Sequence, residues 1–123
     1  MTEKNLYISV LLDFYGPMLT DKQREVVEYY YNEDLSLAEI ADHAGITRQG
    51  VRDAIKRGEA TLLEMEERLG FARRYREQEE KLERIAELAR DMQRQNDLHL
   101  FSREIGAGVK EILTLCNQLM ADE

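Results

Sequence analysis

The sequence predicts an all-α fold, and three observations support this prediction. Hydrophobic residues make up 43% of the 123 residues and charged residues 34%, which is typical of helices with one buried and one charged face. The chain contains a single proline, Pro17, so little interrupts its helical segments. Residues that begin and end helices recur at short intervals between positions 16 and 70. We therefore expect helices joined by short turns rather than a β-sandwich or a barrel.

A glycine–proline pair separates the first two predicted helices. Gly16 and Pro17 end the first helix, over residues 5–15, because the residue before a proline avoids the α region. Thr20 with Gln23 forms a capping-box pair, which predicts the start of the second helix. Helical spacing then predicts the apolar face of each helix. These faces comprise Leu6, Val10, Leu11 and Phe14 in the first helix, and Val26, Val27, Tyr30 and Tyr31 in the second.

Residues 36–57, SLAEIADHAGITRQGVRDAIKR, have the pattern of a helix-turn-helix. Ser36 with Glu39 predicts the cap of a short support helix, and Gly45 supplies the positive φ that a tight turn needs. Thr47 caps the helix that follows. The buried side of this helix and its end are predicted at Val51, Ile55, Leu62, Met65, Leu69 and Gly70.

The second helix of this motif is a local exception to the acidity of the chain. The formal net charge is −8, which disfavours non-specific binding to phosphates, yet residues 47–58 hold four basic residues and one acidic residue. In the usual docking, residues near the start of this helix reach base edges, and flanking Lys and Arg bind phosphates. We predict a nucleic-acid-binding site formed by Thr47 as the cap and by Arg48, Gln49, Arg52, Lys56 and Arg57. A solvated charged face or a protein-binding surface is the alternative.

The stretches DFYGPMLTDKQREV, YYNEDLSLAEIA and GITRQGVRDAIKR lie within residues 11–70, a segment that resembles the YlxM family of small bacterial proteins. Members of that family are similar in turn to region 4 of sigma factors, the part that reads a promoter element. The resemblance implies a sigma-region-4-like helix-turn-helix core and a role in the signal recognition particle pathway. It also implies a partner in that particle, either its RNA or its GTPase.

Two apolar seams follow Gly70 and predict a helical hairpin. The first seam lies between residues 73 and 95, and Ser102 is a candidate cap for a final helix that holds the second seam. The seam residues are Leu82, Ile85, Ala89 and Met92, followed by Ile105, Val109, Ile112, Cys116 and Leu119. The two seams meet each other or meet a second copy, and we expect a homodimer. We predict a helix-turn-helix domain over residues 1–70 and a C-terminal helical hairpin over residues 71–123.

Three consecutive tyrosines, Tyr29, Tyr30 and Tyr31, cover most of the circumference of the second helix. We therefore expect at least one of them to be exposed or to lie at an interface. Core packing is the simpler account of this run, and a dimer contact or a platform for RNA stacking are the alternatives.

The sequence gives no indication of catalysis, a metal site or a bound cofactor. His43 and His99 do not stand at ligand spacing from each other or from Cys116, and zinc sites need three or four close ligands. Cys116 lies on an apolar stripe, which favours a buried small side chain over a reactive thiol. Many carboxylates alternate with Lys and Arg at helical spacing, as in solvated ion-pair ladders. We predict a protein that is not an enzyme and that holds no cofactor and no metal.

The favoured function is that of a cytoplasmic accessory or regulatory protein without membrane insertion, since no apolar run approaches the roughly 20 residues of a membrane span. The apolar start of the chain lacks the basic segment and the cleavage site of a signal peptide. The protein is expected to bind nucleic acid, either signal recognition particle RNA or DNA, or the GTPase of the particle. Two alternatives remain: a DNA-binding transcriptional regulator that uses the same helix-turn-helix, and a dimeric protein-interaction adaptor.

Overall fold

The computed structural model describes residues 6–121, which form six α-helices. These are α1 (Leu6–Tyr15), α2 (Asp21–Tyr31), α3 (Leu37–Ala44), α4 (Arg48–Leu69), α5 (Phe71–Gln95) and α6 (Arg103–Ala121). A 3-10 turn, Gly16–Met18, follows α1, and a π-helical turn, Asn96–Leu100, follows α5. No strand occurs within this described range, so the predicted all-α class is confirmed. Asn5, predicted as the start of the first helix, lies outside the described residues.

The predicted caps are confirmed at the starts of α2 and α3. The Thr20 hydroxyl accepts a hydrogen bond from the Gln23 backbone N–H at 3.2 Å, and the Gln23 side chain accepts one from the Thr20 backbone N–H at 3.4 Å. Ser36 and Glu39 exchange the same pair of bonds, each at 3.1 Å. These reciprocal bonds satisfy backbone donors that the first turn of a helix cannot pair internally. Local sequence therefore sets where both helices begin.

The buried face of α1 differs from the prediction. Leu11 is buried as expected, but Leu6 is 77% exposed and Val10 is 45% exposed. The residues that α1 buries are Ile8, Leu11, Leu12 and Tyr15. Because apolar residues occur almost all round this helix, their spacing alone could not identify the side that packs against α2 and α4.

Helix α2 separates two apolar clusters. Its adjacent residues Val26 and Val27 are both fully buried, but they point into different clusters. Val27 joins the first cluster with Ile8, Leu11, Leu12, Tyr15, Leu19, Leu62 and Ala72. Val26 joins the second cluster with Ile40, Ala44, Val51 and Ile55. Helix α4 contributes to both clusters, so it is held along most of its length.

Helix α4 packs very close to α2 at Gly58. A Cβ atom built at this buried glycine would lie 2.6 Å from Cγ2 of Val27, a separation that packed carbon atoms do not tolerate. Glycine in the middle of a helix costs about 1 kcal/mol relative to alanine. The close contact between the two helices accounts for its presence in the middle of α4.

All three tyrosines of the run in α2 are half-buried, so none is fully exposed, and the alternative that one of them lies at an interface stays a prediction. Tyr29 packs near His43 of α3, with ring centroids 5.5 Å apart. Tyr30 and Tyr31 meet edge to face at 5.0 Å, and the Tyr31 hydroxyl donates a hydrogen bond to Glu59 of α4. Neighbouring helices therefore cover a part of each ring.

The chain divides into two compact units, Met1–Arg73 and Arg74–Glu123, and the division falls inside α5. The predicted domain limits, 1–70 and 71–123, stay a prediction. In the second unit the buried Asn96 side chain donates to the Ser102 carbonyl at 2.9 Å and accepts from the Ser102 N–H at 2.8 Å. The Ser102 hydroxyl also accepts from the Ile105 N–H at 3.2 Å, as predicted for a cap. The two bonds between Asn96 and Ser102 fix the turn between α5 and α6.

The predicted seams of α5 and α6 are buried only in part. Ala89, Val109 and Cys116 are buried, and so is Ala86, which was not predicted. Five other seam residues remain exposed: Ile85, Met92, Ile105, Ile112 and Leu119. The buried residues Ala86 and Ala89 of α5 are small, and the larger aliphatic residues Ile85, Leu88 and Met92 lie outside their stripe.

Substitution Gly58→Ala is expected to lower the free energy of unfolding by about 1 kcal/mol. Overpacking against Val27 costs about 1–3 kcal/mol, which outweighs the gain of up to about 1 kcal/mol from helix propensity. Urea unfolding followed by circular dichroism measures the change, and the penalty should shrink in a Val27→Ala background. Gly108→Ala in α6 is the control, because open space surrounds its added Cβ. A Gly58→Ala protein at least as stable as the wild type would contradict the close-contact argument.

Candidate nucleic-acid interface

The turn between α3 and α4 has the geometry of a helix-turn-helix. Gly45 ends α3 in the left-handed conformation with φ +69°. The N–H groups of Gly45 and Ile46 both donate to the Ala41 carbonyl, at 3.0 and 3.2 Å. The Thr47 hydroxyl then accepts from the Gly50 N–H at 3.0 Å, so the predicted cap of α4 is confirmed. These bonds satisfy the backbone groups on both sides of the turn.

Helix α4 is anchored on the side that faces α2 and α3. Val51 and Ile55 are buried in the second apolar cluster, as predicted. Lys22 of α2 donates from Nζ to the Ala44 carbonyl at 2.9 Å, which places a positive charge at the C-terminal end of α3. Packing and this charge together hold α3 and α4 in one arrangement, and the opposite side of α4 faces solvent.

The predicted site residues of α4 and its cap are all exposed, but they do not form one uniform surface. Arg48, Arg52 and Lys56 follow each other at intervals of four and lie along one stripe. Arg57 lies about 100° round the helix from Lys56, on the far side of Asp53. The structure therefore brings three of the four predicted cations together and places the fourth apart.

Two of the predicted polar residues are engaged within the protein. Gln49 donates from Nε2 to Oδ1 of Asp53 at 3.1 Å, a contact between successive turns of α4. The Thr47 hydroxyl is used by the helix cap. Gln49 can reach a base edge only if this bond is exchanged, whereas Thr47 shapes the start of the helix.

The cations of the site differ from three other cations of the same compact unit. Lys22, Arg24 and Arg68 pair with carboxylates one helical turn away, at 3.2, 3.0 and 2.9 Å. Within residues 6–121, Arg48, Arg52 and Lys56 have no ion-pair partner. The stripe therefore presents uncompensated positive charge on an acidic protein, which suits a phosphate or a carboxylate partner.

A half-buried carboxylate holds the far end of α4, and the sequence analysis did not identify it. Glu66 accepts hydrogen bonds from the Tyr15 hydroxyl at 2.7 Å, the Ala72 N–H at 3.0 Å and the Arg73 N–H at 3.1 Å. The Tyr15 hydroxyl accepts in turn from the Phe71 N–H at 3.1 Å. Glu66 and Tyr15 thus satisfy three free donors in the first turn of α5. The sequence signal was weak because Tyr15 and Glu66 lie 51 positions apart.

The titration of this pair follows from its hydrogen bonds. Burial by itself raises the pKa of Glu66, but the bonds from Tyr15 and from the backbone of Ala72 and Arg73 outweigh it, so the pKa lies below its ordinary value of 4.5. Burial and the bond to Glu66 raise the pKa of Tyr15 above 10.0. At neutral pH, Glu66 is therefore the charged acceptor and Tyr15 is the neutral donor.

The remaining candidate residues stay outside the α4 site. His43 packs near Tyr29, and Cys116 is buried, as predicted from its place on an apolar stripe. Across residues 6–121, no group of histidine, cysteine and acidic side chains is arranged to hold a metal ion. In the same range no helix combines the length and the apolarity that crossing a membrane requires.

Comparison with known proteins identifies a family of helix-turn-helix proteins, in agreement with the geometry of α3 and α4. A family profile described as "Putative helix-turn-helix protein, YlxM / p13 like" (UPF0122) matches residues 2–101, which extends beyond the first 70 residues. A UPF0122 protein of Thermoanaerobacter sp. strain X514 is 41% identical over 115 residues, covering 91% of this chain and 98% of the relative. One from Caldanaerobacter subterraneus subsp. tengcongensis is 48% identical over 87 residues, covering 71% and 74%. One from Symbiobacterium thermophilum is 58% identical over 64 residues, covering 52% and 60%.

Substitution Glu66→Gln is expected to lower stability at neutral pH by about 1 kcal/mol, because a charged acceptor of three hydrogen bonds is lost. The substitution should also reduce how steeply the free energy of unfolding falls as the pH becomes acid. Since the folded pKa of Glu66 is lowered, the unfolded state binds more protons below pH 4.5. The contribution of Glu66 is therefore complete above pH 4.5 and is lost as the pH falls through the folded pKa.

Urea unfolding at a series of pH values from neutral to acid measures this effect. Glu67→Gln is the matched control, since Glu67 is the exposed neighbour on the same helix and the change in charge is identical. Equal pH profiles for the two variants would show that Glu66 has no special role.

Proposed function

Because the chain belongs to the UPF0122 family of YlxM/p13-like helix-turn-helix proteins, we propose that it is a non-enzymatic, nucleic-acid-binding accessory protein of the signal recognition particle pathway. It would act by binding the RNA of the particle or by modulating its GTPase. The family supports nucleic-acid binding in general. The pathway is suggested by the resemblance of residues 11–70 to the YlxM family.

The observation that carries this proposal is the cationic stripe of Arg48, Arg52 and Lys56. The side chains are exposed, they lie on the first turns of the second helix of a helix-turn-helix, and none has an ion-pair partner among the described residues. Arg48 and Arg52 would contact bases or phosphates, while Lys56 and Arg57 add electrostatic attraction. The start of α4 adds the positive end of a helix dipole to the same surface.

The charge of α3 favours a structured RNA over a DNA duplex. In the usual duplex docking, the first helix of the motif crosses the sugar–phosphate backbone. Here α3 contains neither lysine nor arginine, and it exposes Glu39 and Asp42. This helix would repel a second phosphate strand, so the cations of α4 suit a partner that contacts the protein along one narrow surface.

The proposal includes a homodimer, since apolar surface remains exposed on α5 and α6. A DNA-binding transcriptional regulator is the second candidate function. The helix-turn-helix geometry at Gly45 and Thr47 favours it, because the same arrangement presents Gln49 and Arg52 for reading bases in a major groove.

Fluorescence-anisotropy titration tests the nucleic-acid partner. We expect preferential binding to signal recognition particle RNA over an unrelated structured RNA and a random DNA duplex, with affinity falling as salt rises. The double substitution Arg48→Glu and Arg52→Glu should weaken binding by at least about tenfold. It should also reduce the dependence of affinity on salt, since each lost phosphate contact lowers the slope of log affinity against log salt concentration by about one unit.

The matched control is Arg90→Glu with Arg103→Glu, which makes the same change in net charge at exposed positions of α5 and α6. This control should bind RNA as the wild type does. Tighter binding to a DNA duplex would favour the transcriptional regulator. Equal losses in the two double variants would contradict a site on α4, and no binding to any of the three nucleic acids would refute direct RNA binding.

The GTPase branch of the proposal has its own test. Adding the protein to the particle's GTPase and RNA should change the rate of GTP hydrolysis several-fold, a usual size for coupling between sites. The Arg48→Glu and Arg52→Glu protein should lose this effect if RNA binding mediates it. An unchanged rate with no binding to RNA or GTPase would refute the role in this pathway.

A further inference from the structure

The hairpin of α5 and α6 buries small side chains and exposes large ones. Ala86 and Ala89 of α5 and Val109 and Cys116 of α6 are its buried apolar residues. The larger residues lie outside this core. On α5 these are Ile85, Leu88 and Met92, and on α6 they are Ile105, Ile112, Leu115 and Leu119, each between 39% and 58% exposed. A core of two alanines, a valine and a cysteine is too small to hold two long helices together alone.

The exposed aliphatic residues of the two helices emerge on one face. Each residue is rotated by about 100° from the one before it. On both helices the exposed aliphatic residues lie between about 30° and 130° from the centre of the buried stripe, and they are rotated from it in the same direction. The Asn96–Ser102 bonds close the turn, and Gln93 and Asn96 line the same cavity as Gly106, Ala107 and Lys110, so α5 and α6 are antiparallel neighbours at their shared end. In an antiparallel pair, equal rotations of both helices lead to the same side. These seven residues therefore form a single surface, the hairpin face.

We infer that the hairpin face binds the same face of a second copy of the chain, so that two hairpins close a four-helix bundle. Seven half-exposed aliphatic residues make an apolar patch of several hundred Å², at the upper end of what a monomer exposes. With its polar border, such a face approaches the roughly 800 Å² per partner of a stable interface. A four-helix bundle is the smallest arrangement in which both helices of each hairpin cover their large side chains.

The charges at the border favour a second copy over a lipid surface. The border carries both signs of charge, with Glu104 and Glu111 beside the α6 part of the hairpin face and Lys81 and Arg84 beside its α5 part. Charges of both signs can complement each other across a two-fold axis, whereas anionic headgroups would be repelled by the two glutamates. A two-fold interface needs only one self-complementary patch, and the hairpin face supplies aliphatic residues from both helices. The inference rests on the homodimer of the proposed function and assigns its surface.

The test is the mass of the full chain in solution, measured by light scattering after size-exclusion chromatography. The wild type should have twice the 14.4 kDa of one chain. The double substitution Ile112→Glu and Leu115→Glu should halve the mass while leaving RNA binding by α4 measurable. The matched control, Val10→Glu with Leu98→Glu, places the same two charges on exposed apolar residues of α1 and of the turn after α5, and it should remain dimeric.

Hydrogen exchange of the wild-type chain at low and high concentration provides a readout that needs no variant. Amides of residues 82–92 and 105–119 should gain protection as the concentration rises, and those of α1 to α3 should not. A wild type that stays monomeric at high concentration would overturn the inference. A face variant that remains dimeric, or protection gained only in α1 to α3, would overturn the assignment of the surface. Dimer formation without RNA binding would refute direct RNA binding and leave this inference intact.

Discussion

The close approach of α4 to α2 at Gly58 is the constraint on which the helix-turn-helix unit depends. Since no side chain separates the helices there, α4 runs close against α2 and contributes to both apolar clusters. Its first half, with Val51 and Ile55, fixes the angle at which the cationic stripe faces solvent. Its second half carries Leu62 and Glu66 to α1. A larger residue at position 58 would shift both halves together, because a rigid helix transmits a displacement along its length.

The positive charge of the site depends on where α4 places its carboxylates. Asp53 accepts from Gln49, Glu59 accepts from Tyr31, and Glu66 accepts from Tyr15 and from the first turn of α5. Each of these acids has a neutral donor as its partner, so none is paired with Arg48 or Arg52. An acidic chain can therefore keep one stripe of unpaired cations, although its net charge is −8. A carboxylate that accepts from a neutral donor keeps its negative charge, so the local positive charge comes from the four basic residues that stand against one acidic residue over residues 47–58.

Features encoded by neighbouring residues were predictable, and features set by distant contacts were not. The caps at Thr20, Ser36 and Thr47 and the turn at Gly45 depend on residues within a few positions, so the helix-turn-helix could be located from sequence. The buried face of α1 and the buried stripe of the hairpin depend on which helix packs against them. The Glu66 network joins residues 51 positions apart, and no local pattern marks it. For the site, sequence placed the cations on one helix, and their spacing already sets Arg57 apart from the other three, but the sequence analysis did not identify the bond between Gln49 and Asp53.

The small number of cations on α4 gives a reason why a dimer formed through the hairpin face would help the protein bind its partner. Three or four phosphate contacts supply only weak and salt-sensitive binding, because each released counterion contributes a limited free energy. Two copies joined by their hairpins would carry two such stripes, and the second contact would then form at a high effective concentration. The compact unit that holds α4 and the unit that holds α5 and α6 could therefore both contribute to the affinity for the partner. Under this proposal α4 would contact the partner, and pairing of the hairpin faces would raise the affinity by adding the α4 of a second copy.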